Sequence, residues 1–322
     1  MLILVAGPRS SGRRSVADFL VERHGFSLAL IGIEGQLHSV FASVGDLDEF
    51  LLTDGRWQEN WVAVLPPSIT VAELDAVRKR PYVLLLVVDA APTDMLARAG
   101  PTADNEGALA TASLVRYRQI QAAADIVVFN DAPSIHALHA ALARADLVDL
   151  ERLRPSWDTY FLALCHLASL RSNCMKRRVG ALLVSSATRR VLSTGYNGTP
   201  RGLVNCGHGG CARCNSGAHA GVSLDTCLCL HAEENALLEV GRAAFGATLY
   251  CTTFPCLGCA KKIVQCGVAE VVYAHGYDRS PTGGDLRVVD ELFGRAGVSV
   301  RQHNGGSGVG RGCTFIVASE AA

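Results

Sequence analysis

Apolar residues in the first 150 positions fall into short unbroken runs separated by polar stretches of helical length. Residues 2–6 form one such run. It gives way to a glycine-containing loop, Gly7-Pro8-Arg9-Ser10-Ser11-Gly12-Arg13-Arg14-Ser15, and then to a helix predicted over 15–24. Residues 82–89 read as a second buried strand ending in an acid, and residues 124–130 as a third. Continuous apolar runs mark strands covered on both faces, and strands alternating with helices predict a doubly wound parallel sheet.

The pattern changes after residues 146–156, where Arg152, Arg154 and Pro155 mark a boundary. An apolar-faced helix is predicted over 157–173, followed by paired strands over 179–185 and 191–195. A cysteine-rich insertion leads to a helix over 230–240, with Ala232, Asn235, Ala236 and Glu239 at helical spacing. Strand 247–252, helix 257–267, strand 270–274, helix 286–296 and strand 298–302 complete the order. It predicts a five-stranded mixed sheet with helices on its faces. The expected domains are 1–150 and 157–303, with a C-terminal tail over 304–322 that is loose as far as the apolar stretch 313–318.

Composition narrows the function. The chain has 322 residues, 49% of them hydrophobic, with 30 basic and 30 acidic side chains. That balance disfavours a surface built to grip polynucleotides. No apolar run approaches the roughly 18 residues of a membrane span, and the start shows no secretory signal pattern. Twelve cysteines in such a chain point to metal ligands and reduced thiols rather than a disulfide framework, so the cytoplasm, or the nucleus as well, is the expected location.

The densest chemistry lies in His231-Ala232-Glu233 and Pro255-Cys256-Leu257-Gly258-Cys259. One imidazole and two thiolates supply three ligands to a tetrahedral zinc and leave its fourth position open, as in catalytic sites. Glu233, two residues beyond the histidine, suits proton transfer better than coordination. Cys256 opens a predicted helix whose dipole favours thiolate over thiol. This H-x-E…P-C-x-x-C arrangement is that of zinc nucleobase deaminases, in which an activated water attacks the amino-bearing ring carbon.

Four motifs together carry a closer resemblance: Arg178-Val179-Gly180-Ala181, Gly195-Tyr196-Asn197-Gly198-Thr199-Pro200, His231-Ala232-Glu233-Glu234-Asn235-Ala236 and Pro255-Cys256-Leu257-Gly258-Cys259. On these the chain resembles the deoxycytidylate (dCMP) deaminase family, in the longer form similar to the fungal one. The resemblance implies a cytidine deaminase-like α/β/α catalytic domain and zinc-dependent conversion of dCMP to dUMP and ammonia, supplying thymidylate synthesis. It places Asn197, the Ala232 backbone N–H, Arg242 and Tyr277 against the substrate. It also implies dCTP and dTTP as effectors acting with Mg2+, and a homo-oligomer, commonly a hexamer. A deaminase acting on nucleic acid is the alternative, and a non-catalytic nucleotide sensor is disfavoured because Glu233 is present.

Two further features stand beside the catalytic motif. Cys206, Cys211 and Cys214 have ligand-like spacing in a glycine-rich loop. Cys174 and Cys206 match by offset the first two structural-zinc ligands of phage-type relatives. A second zinc is therefore expected from Cys174, Cys206 and two of Cys211, Cys214 and Cys227. Cys165, Cys251 and Cys266 read as core residues. The loop after residue 6 resembles the P-loop of nucleotide kinases but is degenerate. Arg13 stands in place of the phosphate-binding lysine and Arg14 in place of the Mg2+-binding hydroxyl, which argues against phosphoryl transfer.

Overall fold

The computed structural model describes residues 1–32, 39–100, 111–219, 222–276, 286–303 and 314–319. The chain divides into two compact units, Met1–Arg154 with Gly310–Ala322, and Pro155–Val309.

In the first unit, β1 (Leu2–Ala6), β2 (Ser27–Ile31), β3 (Ser39–Phe41), β4 (Trp61–Val64), β5 (Val83–Asp89) and β6 (Ile126–Phe129) lie in one parallel sheet. Its order is β3-β2-β4-β1-β5-β6, with Thr314–Val317 added outside β6. Side chains alternate across the sheet. Ile3 and Val5 pack with Val16, Phe19 and Leu20 of the Arg13–His24 helix, while Leu2 and Leu4 pack on the other face with Leu47, Leu51, Leu74 and Val77. Both faces are buried, as the unbroken apolar runs predict.

The outer strand falls in the stretch that the sequence pattern assigns to a tail. Thr314 to Val317 pair in register with Ile126 to Phe129, a contact between positions far apart in the chain that no local pattern announces. Strands β2, β3 and β4, three to five residues long, are the others that the sequence pattern does not single out.

The loop after β1 holds its own charges. Arg13 donates to the Leu65 carbonyl, and burial together with Arg9 pulls its pKa down to about 10. The Asn130 amide donates to the Ser11 carbonyl at 2.8 Å, and a Cβ on Gly12 would lie 2.4 Å from that amide nitrogen. Arg98 donates to the Asn130 carbonyl. Arg14 pairs with Asp18 one turn along its own helix.

In the second unit, β7 (Gly180–Val184), β8 (Val191–Tyr196), β9 (Thr248–Thr253), β10 (Glu270–His275) and β11 (Ser299–Gln302) form a mixed sheet in the order β11-β10-β9-β7-β8. Strand β7 runs antiparallel to both β8 and β9, and β9, β10 and β11 run parallel. One face carries Leu182, Val184, Tyr250 and Val272 against the Trp157–Ser169 helix. The other carries Leu183, Leu249, Cys251 and Val271 against the Ala232–Val240, Leu257–Gln265 and Leu286–Ala296 helices.

The first of these helices stops at Ser169 rather than continuing to 173. Ser172 and Asn173 are used elsewhere: Ser172 Oγ donates to the Asn197 carbonyl, and Asn173 Oδ1 accepts from the N–H groups of Thr199 and Cys206. Two glycines permit close layer contacts. A Cβ on Gly195 would lie 2.0 Å from the Ala232 carbonyl oxygen, and one on Gly180 would lie 1.9 Å from that of Cys165. The Gly195 contact presses β8 against the start of the helix that carries the histidine motif.

Candidate active site

His231 and Cys256 are the N-caps of two helices, Ala232–Val240 and Leu257–Gln265, and Cys259 lies in the first turn of the second. His231 Nδ1 is 3.4 Å from Cys256 Sγ and 3.3 Å from Cys259 Sγ. All three donor atoms lie within 4.8 Å of one another. A tetrahedral zinc with bonds of about 2.05 Å to nitrogen and about 2.3 Å to sulfur sets its ligand atoms roughly 3.5 Å apart. The residues present therefore fit the ion.

Electrostatics support the same reading. A hydrogen bond from Cys259, helped by His231 and opposed by burial, draws the Cys256 thiol down to about 4. The Cys256 sulfur in turn raises His231 to about 9. Cys259 is pushed far up by Cys256 and by burial. Zinc binding takes thiolates and a neutral imidazole, so the bound ion would displace the protons from these groups.

Glu233 is 4% exposed, and burial pushes its carboxyl up to about 7. Among the described residues it forms no salt bridge. Its neighbour Glu234 does the structural work of the helix start: its carboxylate accepts the His231 backbone N–H at 2.7 Å and pairs with Lys262 of the cysteine-bearing helix. That contact ties the two ligand-bearing helix ends together. Asn235 donates to the Tyr196 carbonyl and so anchors the G-Y-N-G strand end to the same helix. Glu234, Asn235 and Lys262 had a signal in the sequence, an acid at the third helical position and a polar residue facing the turn.

The substrate residues predicted from the sequence separate into groups. Ala232 is buried at the first position of its helix, where helix geometry leaves backbone N–H groups without intrahelical partners. Asn197 is buried, but much of its amide is engaged. Its Oδ1 accepts from Val179 N–H at 2.8 Å and Ser172 Oγ at 2.7 Å, and its Nδ2 donates to the Arg177 carbonyl. One amide hydrogen is left for another partner. Arg242 is exposed just beyond the far end of the Ala232–Val240 helix, with about 10 Å of helix rise between Glu233 and that end. The structure does not bring it to the metal triad. Tyr277 lies outside the described residues.

The expected second metal site also has a counterpart. Cys174, Cys206, Cys214 and Cys229 form one group of ligand atoms, and Cys211, Cys214, Cys227 and Cys229 another. Both include Cys229, which the sequence reading leaves outside the set. Cys229 groups with the loop cysteines, while His231, two residues on, groups with Cys256 and Cys259. Cys165 and Cys251 are buried in the core, and Cys266 is partly buried at a helix end.

The family model of the cytidine and deoxycytidylate deaminase zinc-binding region matches residues 155–275. The deoxycytidylate deaminase of Schizosaccharomyces pombe is 41% identical over 327 residues, covering 93% of this chain and 96% of the relative. The chain belongs to the deoxycytidylate deaminase family. The Saccharomyces cerevisiae deoxycytidylate deaminase is 56% identical over 155 residues, 47% of this chain and 46% of that one. The crystal structure of the dCMP deaminase of cyanophage S-TIM5 in apo form is 31% identical, with a TM-score of 0.35, covering 47% of this chain and 99% of the other. As a deoxycytidylate deaminase family member, the chain carries its zinc-binding motif within the second unit. The Schizosaccharomyces match takes in most of the first unit as well.

Proposed function

We propose that this chain hydrolyses dCMP to dUMP and ammonia at the His231, Cys256 and Cys259 centre. The observation that carries this reading is the convergence of the three donor atoms beside the buried Glu233 carboxyl. Bound there, zinc would supply a water acidified towards neutral pH as the nucleophile for C4 of the base. Glu233 would take one proton from that water and pass it to the ring nitrogen, then take the second from the added oxygen and pass it to the departing amine. One carboxyl can serve all four transfers because it alternates between acid and base. The Ala232 N–H is placed to hold the base carbonyl. The second hydrogen of the Asn197 amide is available to the nucleotide, and family resemblance assigns Tyr277 to the substrate and Arg242, beyond the far end of the helix that starts beside the metal triad, to its phosphate.

Family membership extends the proposal to dCTP and dTTP as effectors with Mg2+, to a homo-oligomer of hexamer size, to a structural zinc in the cysteine-rich loop, and to a cytoplasmic location. No helix among the described residues is long and apolar enough to cross a membrane.

A panel of dCMP, CMP, deoxycytidine, cytidine and single-stranded oligonucleotide, assayed for ammonia with and without dCTP, tests the reading. Fastest release from dCMP supports it, and release from the oligonucleotide alone refutes it. Arg242→Glu belongs in the same assay. It should weaken dCMP more than deoxycytidine, and equal effects on both remove it from the phosphate.

A further inference from the structure

We propose that the cysteine-rich loop of the second unit holds two zinc ions, not one, in a six-cysteine cluster with Cys214 and Cys229 bridging them. This rests on the reading that the loop binds zinc, and it changes how many ions are bound and through which side chains.

The two groups of ligand atoms are not alternatives drawn from separate residues. Each contains four sulfurs lying within 4.8 Å of one another, and Cys214 and Cys229 belong to both. Cys174 and Cys206 complete one group, and Cys211 and Cys227 the other. The sulfur separations are those of tetrahedral edges. Cys174 to Cys214 is 3.9 Å, Cys214 to Cys227 is 3.6 Å, Cys214 to Cys229 is 3.9 Å and Cys211 to Cys227 is 4.0 Å. Zinc bonds of about 2.3 Å to four sulfurs require edges of about 3.8 Å, while a disulfide requires about 2.05 Å.

One four-coordinate ion would satisfy only one group and leave two thiols idle beside it. Cys206 and Cys211, one from each group, are both fully buried. Two ions leave no sulfur unused: four thiolates bind terminally, two bridge, and each metal has four sulfurs. Six thiolates and two Zn2+ carry a net charge of −2, the same as one zinc with four thiolates, so the second ion adds no charge to the interior.

The Leu228 N–H points at Cys211 Sγ at 3.4 Å. The Asn215 amide, which donates to the Cys206 and Cys211 carbonyls, lies 3.9 Å from Cys206 Sγ. Donors of this kind offset thiolate charge and orient metal ligands. Among the described residues the loop has no apolar core of its own. Its buried cluster consists of these cysteines, while Leu203, Val204, Val222, Leu224 and Leu228 are exposed. A segment that turns its sulfurs inward and its aliphatic side chains outward is organised by metal rather than by hydrophobic burial.

Native mass spectrometry and elemental analysis of the purified full-length chain count the ions. The expected result is three zinc ions per chain, one of them at His231. Two would overturn the bridged cluster while leaving a single structural ion, and one would overturn both the cluster and the structural zinc. The catalytic reading stands or falls separately, on ammonia release. Zinc X-ray absorption on the unaltered chain should show zinc–zinc scattering, and its absence contradicts the bridge. Cys211→Ser should lower the count from three to two. An unchanged count assigns Cys211 no metal and refutes the proposal.

Discussion

Each unit has a strand that runs into the N-terminus of a helix, and the two treat the polar groups there in opposite ways. In the first, Arg13 is turned onto the Leu65 carbonyl, Arg14 pairs with Asp18, and Arg98 and Asn130 are drawn into the loop. Arg13 and Arg14, at the two positions where a P-loop would have its lysine and hydroxyl, are spent on holding the fold. In the second, His231, Cys256 and Cys259 face one another, and Glu233 is buried beside His231 with no salt bridge among the described residues. Burying a carboxyl without a salt bridge is costly, and such exceptions concentrate at functional sites. The contrast separates a site kept for ligands from one absorbed into structure.

The largest expected effect breaks that contrast at its sharpest point. Glu233→Gln preserves size and removes the titrating group, so dCMP turnover should fall by roughly 10²–10⁴-fold, the range for loss of a positioned acid–base group. Zinc content should stay at the level of the unaltered protein. Ammonia release at the original rate would remove Glu233 from the reaction.

A smaller effect compares two carboxyls within the second unit. Glu233 is pushed up by burial, whereas Asp158 is held below its ordinary range, chiefly by Arg301. Asp158 accepts from Arg301 at 2.6 and 2.8 Å and from Tyr250 at 2.7 Å, tying the Trp157–Ser169 helix to β11 and β9. A depressed folded pKa contributes stability above the unfolded value, and that contribution is lost as pH falls through the folded one. Asp158→Asn should therefore cost about 1–2 kcal/mol at neutral pH, lowering Tm by a few degrees, roughly 2–4 °C per kcal/mol. The difference from the unaltered chain should shrink in acid. A Tm gap that stays constant down to pH 3 would show that the carboxylate charge is not what matters.

The smallest effect belongs to the first unit. Arg13→Ala removes the residue standing where a P-loop lysine would be, and dCMP turnover should be unchanged. A loss of turnover in protein with unaltered zinc content would show that the degenerate loop serves the reaction.

The same contrast explains what the sequence revealed. The deaminase half was legible because its strands alternate with helices of ordinary length and its chemistry sits in compact motifs. The spans predicted around 180–184, 191–196, 248–253, 270–275 and 299–302 fall within a residue or two of the strands. His231, Cys256 and Cys259 converge as their spacing suggests. The first half was less legible because one strand at the edge of its sheet comes from the far end of the chain. Cys229 lies close to the H-A-E motif in sequence but groups in space with Cys174, Cys206, Cys211, Cys214 and Cys227, a proximity that sequence spacing does not show. Arg242, matched by offset alone, lies at the opposite end of its helix from the triad.

The central claim is that His231, Cys256 and Cys259 hold the zinc on which dCMP deamination depends. Zinc content and ammonia release from dCMP, measured together on the unaltered chain and on folded His231→Ala, test it most directly. The account predicts that the variant loses one zinc equivalent and its turnover while keeping the metal of the cysteine-rich loop. A variant with undiminished zinc and turnover would contradict it.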